Sequence, residues 1–159
     1  MLTAQEESFR QPEIDALLLQ SDAFAASLYP NEYRLPLNLE EMVSPGICLL
    51  VARIEGLAAA GCCILLDQGD GTAELKRMIV DQGLRRHGVG QALLQAVETV
   101  ALTKKVYLIR MEVGTRNTDG QALYRVSGYK ERGPFGSHRC SPLSLFFEKS
   151  LDDAPGDQA

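Results

Sequence analysis

The sequence predicts a mixed α/β protein, a single sheet with helices packed on it. Three observations predict it. Apolar runs at 47–54, 57–66 and 72–80 are separated by Glu55-Gly56 and Gly69-Asp70-Gly71, so they read as an antiparallel meander. The apolar period then switches to that of a helix: Val89, Ala92, Leu93, Ala96, Val97, Val100 and Ala101 fall on one face. Strand-like and helix-like segments alternate from there to the end of the sheet.

Taken in order, residues 13–28 predict an amphipathic helix, with Ile14, Leu17, Leu18, Phe24, Ala25 and Leu28 recurring every three or four positions. Pro12 suits its first turn, and Pro30 stops it. Residues 29–36 (YPNEYRLP) are expected to be a loop, followed by a short helical turn at 39–43. The three-strand meander comes next. The strongest helix is expected at 88–103, then a strand at 106–113, a shorter helix at 121–126 and a final strand at 144–149. Length fits one domain over 1–150, able to bury its own core. The tail 151–159 (LDDAPGDQA) is polar and acidic and is expected to be disordered.

Composition excludes several functions. The net charge of −5 argues against a general nucleic-acid binder, which needs clustered Lys and Arg. No apolar run approaches the roughly 20 residues that span a bilayer, so no membrane association is expected. The N-terminal MLTAQEESFR has no basic region leading into an apolar run, so no signal peptide is expected, and the cytoplasm is the expected compartment. Cys48, Cys62, Cys63 and Cys140 match neither a zinc nor a CxxC spacing. The first three lie in apolar runs and are expected to be buried thiols, and no metal is expected.

The informative segment is 73–94, AELKRMIVDQGLRRHGVGQALL. A strand ends at Val80 and a helix opens at Gly88-Val89-Gly90, with Arg85, Arg86 and His87 just before it. Free amides of a helix's first turn, with the helix dipole, form an anion site. A Walker A loop is excluded because Gln91-Ala92 follows Gly90. A dinucleotide fingerprint is excluded because position 93 is Leu.

Arg85-x-x-Gly88-x-Gly90 resembles the Q/R-x-x-G-x-G/A pyrophosphate loop of the GNAT acetyltransferase superfamily. Ala73-Glu74-Leu75 through Val80 resembles the fourth strand of that fold. Gln121-Ala122-Leu123-Tyr124 with Ser127-Gly128-Tyr129 resembles its A-x-x-L-Y-x-x-x-G-F helix end. Pro134-Phe135-Gly136, Pro142-Leu143-Ser144 and Phe147-Glu148-Lys149 are similar to a bacterial subset of the family. The resemblance implies an acyl-CoA N-acyltransferase fold, its mostly antiparallel sheet splayed between the fourth and fifth strands.

The resemblance also implies site residues. Acetyl-CoA is the implied co-substrate. Backbone groups over Met78, Ile79 and Val80 would bind its pantetheine arm. Amides from Arg86 through Gly90, including His87, Gly88 and Val89, would hold the pyrophosphate, helped by the charge of Arg85 and Arg86. Asn117 would touch the pantetheine arm. Tyr124 would protonate the leaving thiolate, since a phenol of pKa about 10 keeps its proton at neutral pH. Glu74 is the implied general base and Glu112 its rival. Strand alternation places Glu74 on one face with Lys76, Met78 and Val80.

Acceptor residues are expected from Tyr29, Glu32, Tyr33 and Arg34 on one side and Phe135, His138 and Arg139 on the other, and a carboxylate-bearing amine would suit Arg34, Arg77 or Arg139. The leading expectation is acetyl transfer to a primary amine of a small, amino-acid-like metabolite. Transfer to a protein lysine or N-terminus is the second expectation, and a non-catalytic acetyl-CoA-binding module the third. Members of this fold often pair through their C-terminal strands, so a homodimer stays open.

Overall fold

The computed structural model describes residues 1–29, 46–55 and 58–151. Of the expected loop at 29–36 only Tyr29 is among them and of the expected tail at 151–159 only Leu151; the turn at 39–43 lies outside them.

The element order is β1 (Leu2–Glu7), α1 (Pro12–Leu28), β2 (Ile47–Ile54), β3 (Ala59–Asp67), β4 (Thr72–Val80), α2 (Val89–Thr103), β5 (Leu108–Gly114), α3 (Thr118–Val126), β6 (Lys130–Arg132) and β7 (Ser144–Ser150). A short 3-10 turn, Gln82–Leu84, follows β4. The seven strands form one sheet in the order β1-β2-β3-β4-β5-β7-β6. Only β4 and β5 run parallel; every other neighbouring pair is antiparallel.

Two apolar layers sandwich this sheet. Ile14, Leu17 and Leu18 of α1 pack with Leu49, Val51, Cys62, Ile64 and Ile79 on one face. Val89, Leu93, Leu94, Val97 and Ala101 of α2 pack with Leu50, Cys63, Leu65, Leu75, Ile109, Met111, Tyr124 and Phe147 on the other. Apolar burial on both faces explains why β2 and β3 read as continuous runs rather than alternating ones. Cys48, Cys62 and Cys63 are buried free thiols; Cys140 is free and exposed. Burial pushes the Cys62 thiol to about 12.

Three features depart from the expected elements. β1 forms from a segment to which no element was assigned from the sequence, pairing with β2 from Leu2↔Ile54 to Glu7↔Leu49. Only Leu2 and Ala4 supply apolar alternation there, too little to signal a strand by itself. β6 is three polar residues whose strand character comes from pairing with β7. Leu151 does not begin the tail: it is buried, and its amide donates to Tyr107 O at 2.7 Å.

The fourth departure concerns faces. Arg77 adopts a left-handed φ of 58°, and the β3–β4 register slips between Cys62 and Ile64. A bulge of this kind inserts a residue and reverses side-chain parity. Before it, Leu66↔Glu74 and Ile64↔Lys76 lie on the α1 face; after it, Met78 and Val80 pack on the α2 face. Glu74 therefore shares its face with Lys76 and not, as strict alternation requires, with Met78 and Val80.

Candidate active site

The parallel ladder between β4 and β5 runs only from Thr72↔Leu108 to Leu75↔Met111. Beyond it β4 and β5 no longer pair with each other, although β4 stays paired with β3 and β5 with β7, and an opening is left between them. A cleft of about 510 Å3 continues from this opening, lined by Met78, Ile79 and Val80 of β4, the loop into α2, and Asn117, Leu123 and Tyr124.

The loop into α2 is built by local geometry. Asp81 Oδ1 accepts from Gly83 N at 2.9 Å, and Asp81 Oδ2 accepts from Gln20 Nε2 at 3.1 Å, which ties the loop to α1. Arg86 and Gly88 both take left-handed φ, 68° and 80°. The first intrahelical bond of α2 is Ala92 N to Gly88 O at 3.0 Å. The amides from Arg86 through Gln91 therefore donate to no protein group among the described residues. A turn of unpartnered amides at a helix N-terminus, facing a cleft, fits a pyrophosphate.

Gly88 and Gly90 serve different ends. A Cβ on Gly88 would meet nothing nearer than Leu2 Cδ2 at 4.0 Å, so its requirement is the left-handed backbone. A Cβ on Gly90 would approach Leu123 Cδ2 to 2.7 Å, so its requirement is the close packing of α2 on α3. The Arg85 guanidinium lies 5.7 Å from the Phe24 ring centroid and 3.8 Å from Asp119 Oδ2. Arg86 lines the cleft, whereas His87 is exposed and does not line it.

α3 is locked to the end of β5. Gln121 Nε2 donates to Gly114 O at 2.9 Å and to Thr115 O at 3.0 Å. Asn117 lines the cleft, but its Oδ1 is engaged as the helix cap, accepting from Gly120 N at 3.0 Å. One turn later Tyr124 reaches the cleft with its ring buried against Tyr129 and Phe147, at centroid distances of 6.1 and 6.2 Å. Burial, and secondarily the nearby Cys63, pushes its phenol pKa well above the ordinary value. The Tyr124 phenol thus keeps its proton throughout the physiological range.

The carboxylates gather on the α1 face where the β4–β5 ladder ends, and neither Glu74 nor Glu112 lines the cleft. Glu74 is only 8% exposed. Its Oε2 lies 2.8 Å from His138 Nε2. The other ring nitrogen, Nδ1, lies 3.6 Å from Glu112 Oε1, and Glu112 Oε2 accepts from Ser144 Oγ at 2.5 Å. Lys76 makes no ion pair with Glu74 among the described residues. His138 was legible in the sequence only as a pocket wall, because its link to Glu74 spans 64 positions and depends on how the 133–143 loop folds back.

The remaining acceptor candidates are placed as follows. Tyr29 OH accepts from Arg116 N at 2.9 Å, and Arg116 also donates to Leu28 O, so Tyr29 pins the end of α1 to the loop after β5. Arg77 pairs with Asp22 of α1. Arg139 is exposed on the 133–143 loop. Glu32, Tyr33 and Arg34 lie outside the described residues.

No helix among the described residues is long and apolar enough to cross a membrane, and no group of three metal-ligating side chains occurs among them.

Comparison with known proteins is consistent across sequence and structure. A model of the acetyltransferase (GNAT) family matches residues 13–129. The chain is 35% identical over 150 residues to the IAA acetyltransferase of Azospirillum brasilense, covering 94% of this chain and 98% of that one. A structure from Klebsiella pneumoniae, described as an acyl-CoA N-acyltransferase, superposes with a TM-score of 0.80 at 29% identity, covering 95% and 98% of the two chains. The PaiA N-acetyltransferase of Thermoplasma acidophilum, solved with coenzyme A, shares the fold at a TM-score of 0.71 and 19% identity, with 94% and 99% covered.

Proposed function

The chain belongs to the GNAT family of acetyl-CoA-dependent N-acetyltransferases, and from that premise we propose that its acceptor is a primary amine on a small, amino-acid-like metabolite. Acetyl-CoA supplies an activated acyl group as a thioester. The unpartnered amides of Arg86 through Gly90 hold the pyrophosphate, with the guanidinium groups of Arg85 and Arg86 adding charge. The open edge of β4 at Met78, Ile79 and Val80 receives the pantetheine arm as an added strand. The side chain of His87 stays outside this site.

The acceptor arrives as an ammonium and must lose a proton before its lone pair can form the C–N bond. Glu74 takes that proton, and Glu112 on the same face holds the cation. As the C–S bond breaks, Tyr124 gives the thiolate its phenol proton and is reprotonated from the second nitrogen-bound hydrogen. The balance is one new amide, one thiol and one proton released to water. The observation that carries this reading is the end of the β4–β5 ladder: a protonated phenol lines the cleft on the α2 face, and a near-buried carboxylate sits on the α1 face one residue before the last β4–β5 pair.

The test is release of free thiol from acetyl-CoA over a panel of small amines, amino acids and peptides. Release that depends on small amines is the expected result. Release that depends on peptides alone would assign a protein acceptor. Tight acetyl-CoA binding with no acceptor-dependent release would leave a binding module.

A further inference from the structure

The carboxylate assigned as the base is not held by its own strand. His138 reaches it from the 133–143 loop, and that loop is fixed by aromatic packing. The Phe135 ring packs against the guanidinium groups of Arg110 at 4.7 Å and Arg132 at 5.7 Å, with Phe146 edge-on at 5.8 Å. Phe135 is buried, and the His138 amide donates back to Phe135 O at 3.0 Å. The imidazole then packs 4.8 Å from Phe135 and 5.6 Å from Phe146. Held on those sides, its two nitrogens point at the carboxylates of two different strands.

We propose that His138 is a positioning residue: its Nε2–H holds Glu74 Oε2, while Glu112 faces Nδ1, leaving the second Glu74 oxygen to receive the acceptor's proton. The proposal rests on the amine-acceptor reading above. Among the described residues Glu74 makes no other hydrogen bond, so His138 alone fixes the carboxylate's orientation. An unheld carboxylate would rotate among several rotamers, and proton transfer depends on geometry first. The aromatic packing argues against the alternative that His138 is a movable plug standing where an acceptor ammonium binds.

Two measurements test this. The first needs no acceptor. The chain has only two histidines, and His87 is exposed, so it serves as an internal reference. In 15N-histidine spectra of the neutral imidazoles, His138 is expected to carry its hydrogen on Nε2 alone. In Glu74→Ala the hydrogen should move toward Nδ1, which faces the remaining carboxylate of Glu112. A wild-type His138 that resembles His87, or that carries its hydrogen on Nδ1, would overturn the proposal.

The second measurement uses thiol release with the best amine of the panel. His138→Ala and His138→Asn are expected to lose at least about tenfold in kcat, with the acetyl-CoA dissociation constant unchanged. His138→Gln is expected to recover most of the loss, because a glutamine Nε2 reaches Glu74 as the imidazole Nε2 does. A glutamine variant as slow as the alanine one, an alanine variant at the wild-type rate, or a lower amine KM in the alanine variant would each overturn it. The two failures stay separable. A held Nε2–H tautomer with a silent amine panel removes the acceptor reading, whereas a solvent-like imidazole with an active panel removes the role of His138.

Discussion

Tyr124 and Tyr129 are neighbours with buried rings, and they make opposite predictions. Both phenols are pushed upward by burial. Tyr124 lines the cleft, whereas the Tyr129 hydroxyl is buried without a hydrogen-bond partner among the described residues. Tyr124→Phe keeps the ring packing and removes the proton. Its kcat is expected to fall about 10²-fold, with acetyl-CoA affinity and melting temperature unchanged. Tyr129→Phe removes an unsatisfied polar group, so thermal unfolding should show stability unchanged or raised by about 1 kcal/mol, with kcat retained. The raised Tyr124 pKa has its own sign. The acid form persists past the ordinary value of a phenol, so a kcat–pH profile should show no loss from this group below about pH 10. An alkaline limb near pH 8 that disappears in Tyr124→Phe would contradict the assignment.

At the scale of elements, the turn into α2 has to be left-handed at Gly88 and to keep its amides free. Gly88→Ala meets no neighbour, so its cost is backbone strain of about 1–2 kcal/mol, read as a lower melting temperature with acetyl-CoA binding weakened but present. Gly88→Glu adds a carboxylate to the phosphate cradle and should abolish binding in calorimetry while the protein still folds. This turn was legible in the sequence because its signals are local: a strand, two arginines, paired glycines and a strong helical period. Glu74, Glu112, Asn117 and Tyr124 were marked only by the resemblance to the GNAT family. What escaped was set by partners distant in the chain. β1 and β6 become strands by pairing with β2 and β7, and their own residues signal neither. The parity of β4 reverses at Arg77, an arginine in a conformation that a side chain does not announce. Alternation therefore put Glu74 on the wrong face, and only the folded loop shows that His138 meets it.

For the whole molecule, the N-terminal strand and helix must stay docked, because α1 carries Phe24 and Gln20 to the loop into α2. Arg53 on β2 does much of this. Its Nε and Nη2 donate to Glu7 of β1 at 3.0 and 2.9 Å, Nη2 donates to Gln11 at 2.8 Å, and Nη1 donates to Glu13 of α1 at 3.1 Å. Glu13 in turn accepts from Ala59 N of β3 at 2.7 Å. Four elements thus meet at one guanidinium whose side chain is 17% exposed. Hydrogen bonding to Arg53 outweighs the effect of burial and, with help from Gln11, holds the Glu7 carboxyl below its ordinary value. A depressed carboxyl contributes stability that is present above its unfolded pKa, near 4.3, and that is lost as pH falls through the lower folded value. Arg53→Met should therefore cost about 2 kcal/mol at pH 7, lowering the melting temperature by roughly 4–8 °C for a chain of this length. The gap between wild type and variant should close as unfolding is followed down to pH 3, because the wild type then loses the same interaction. A gap that stays constant across that range would mean that Arg53 acts through packing of its aliphatic stem, and that the charge cluster contributes little to holding α1 over the cleft.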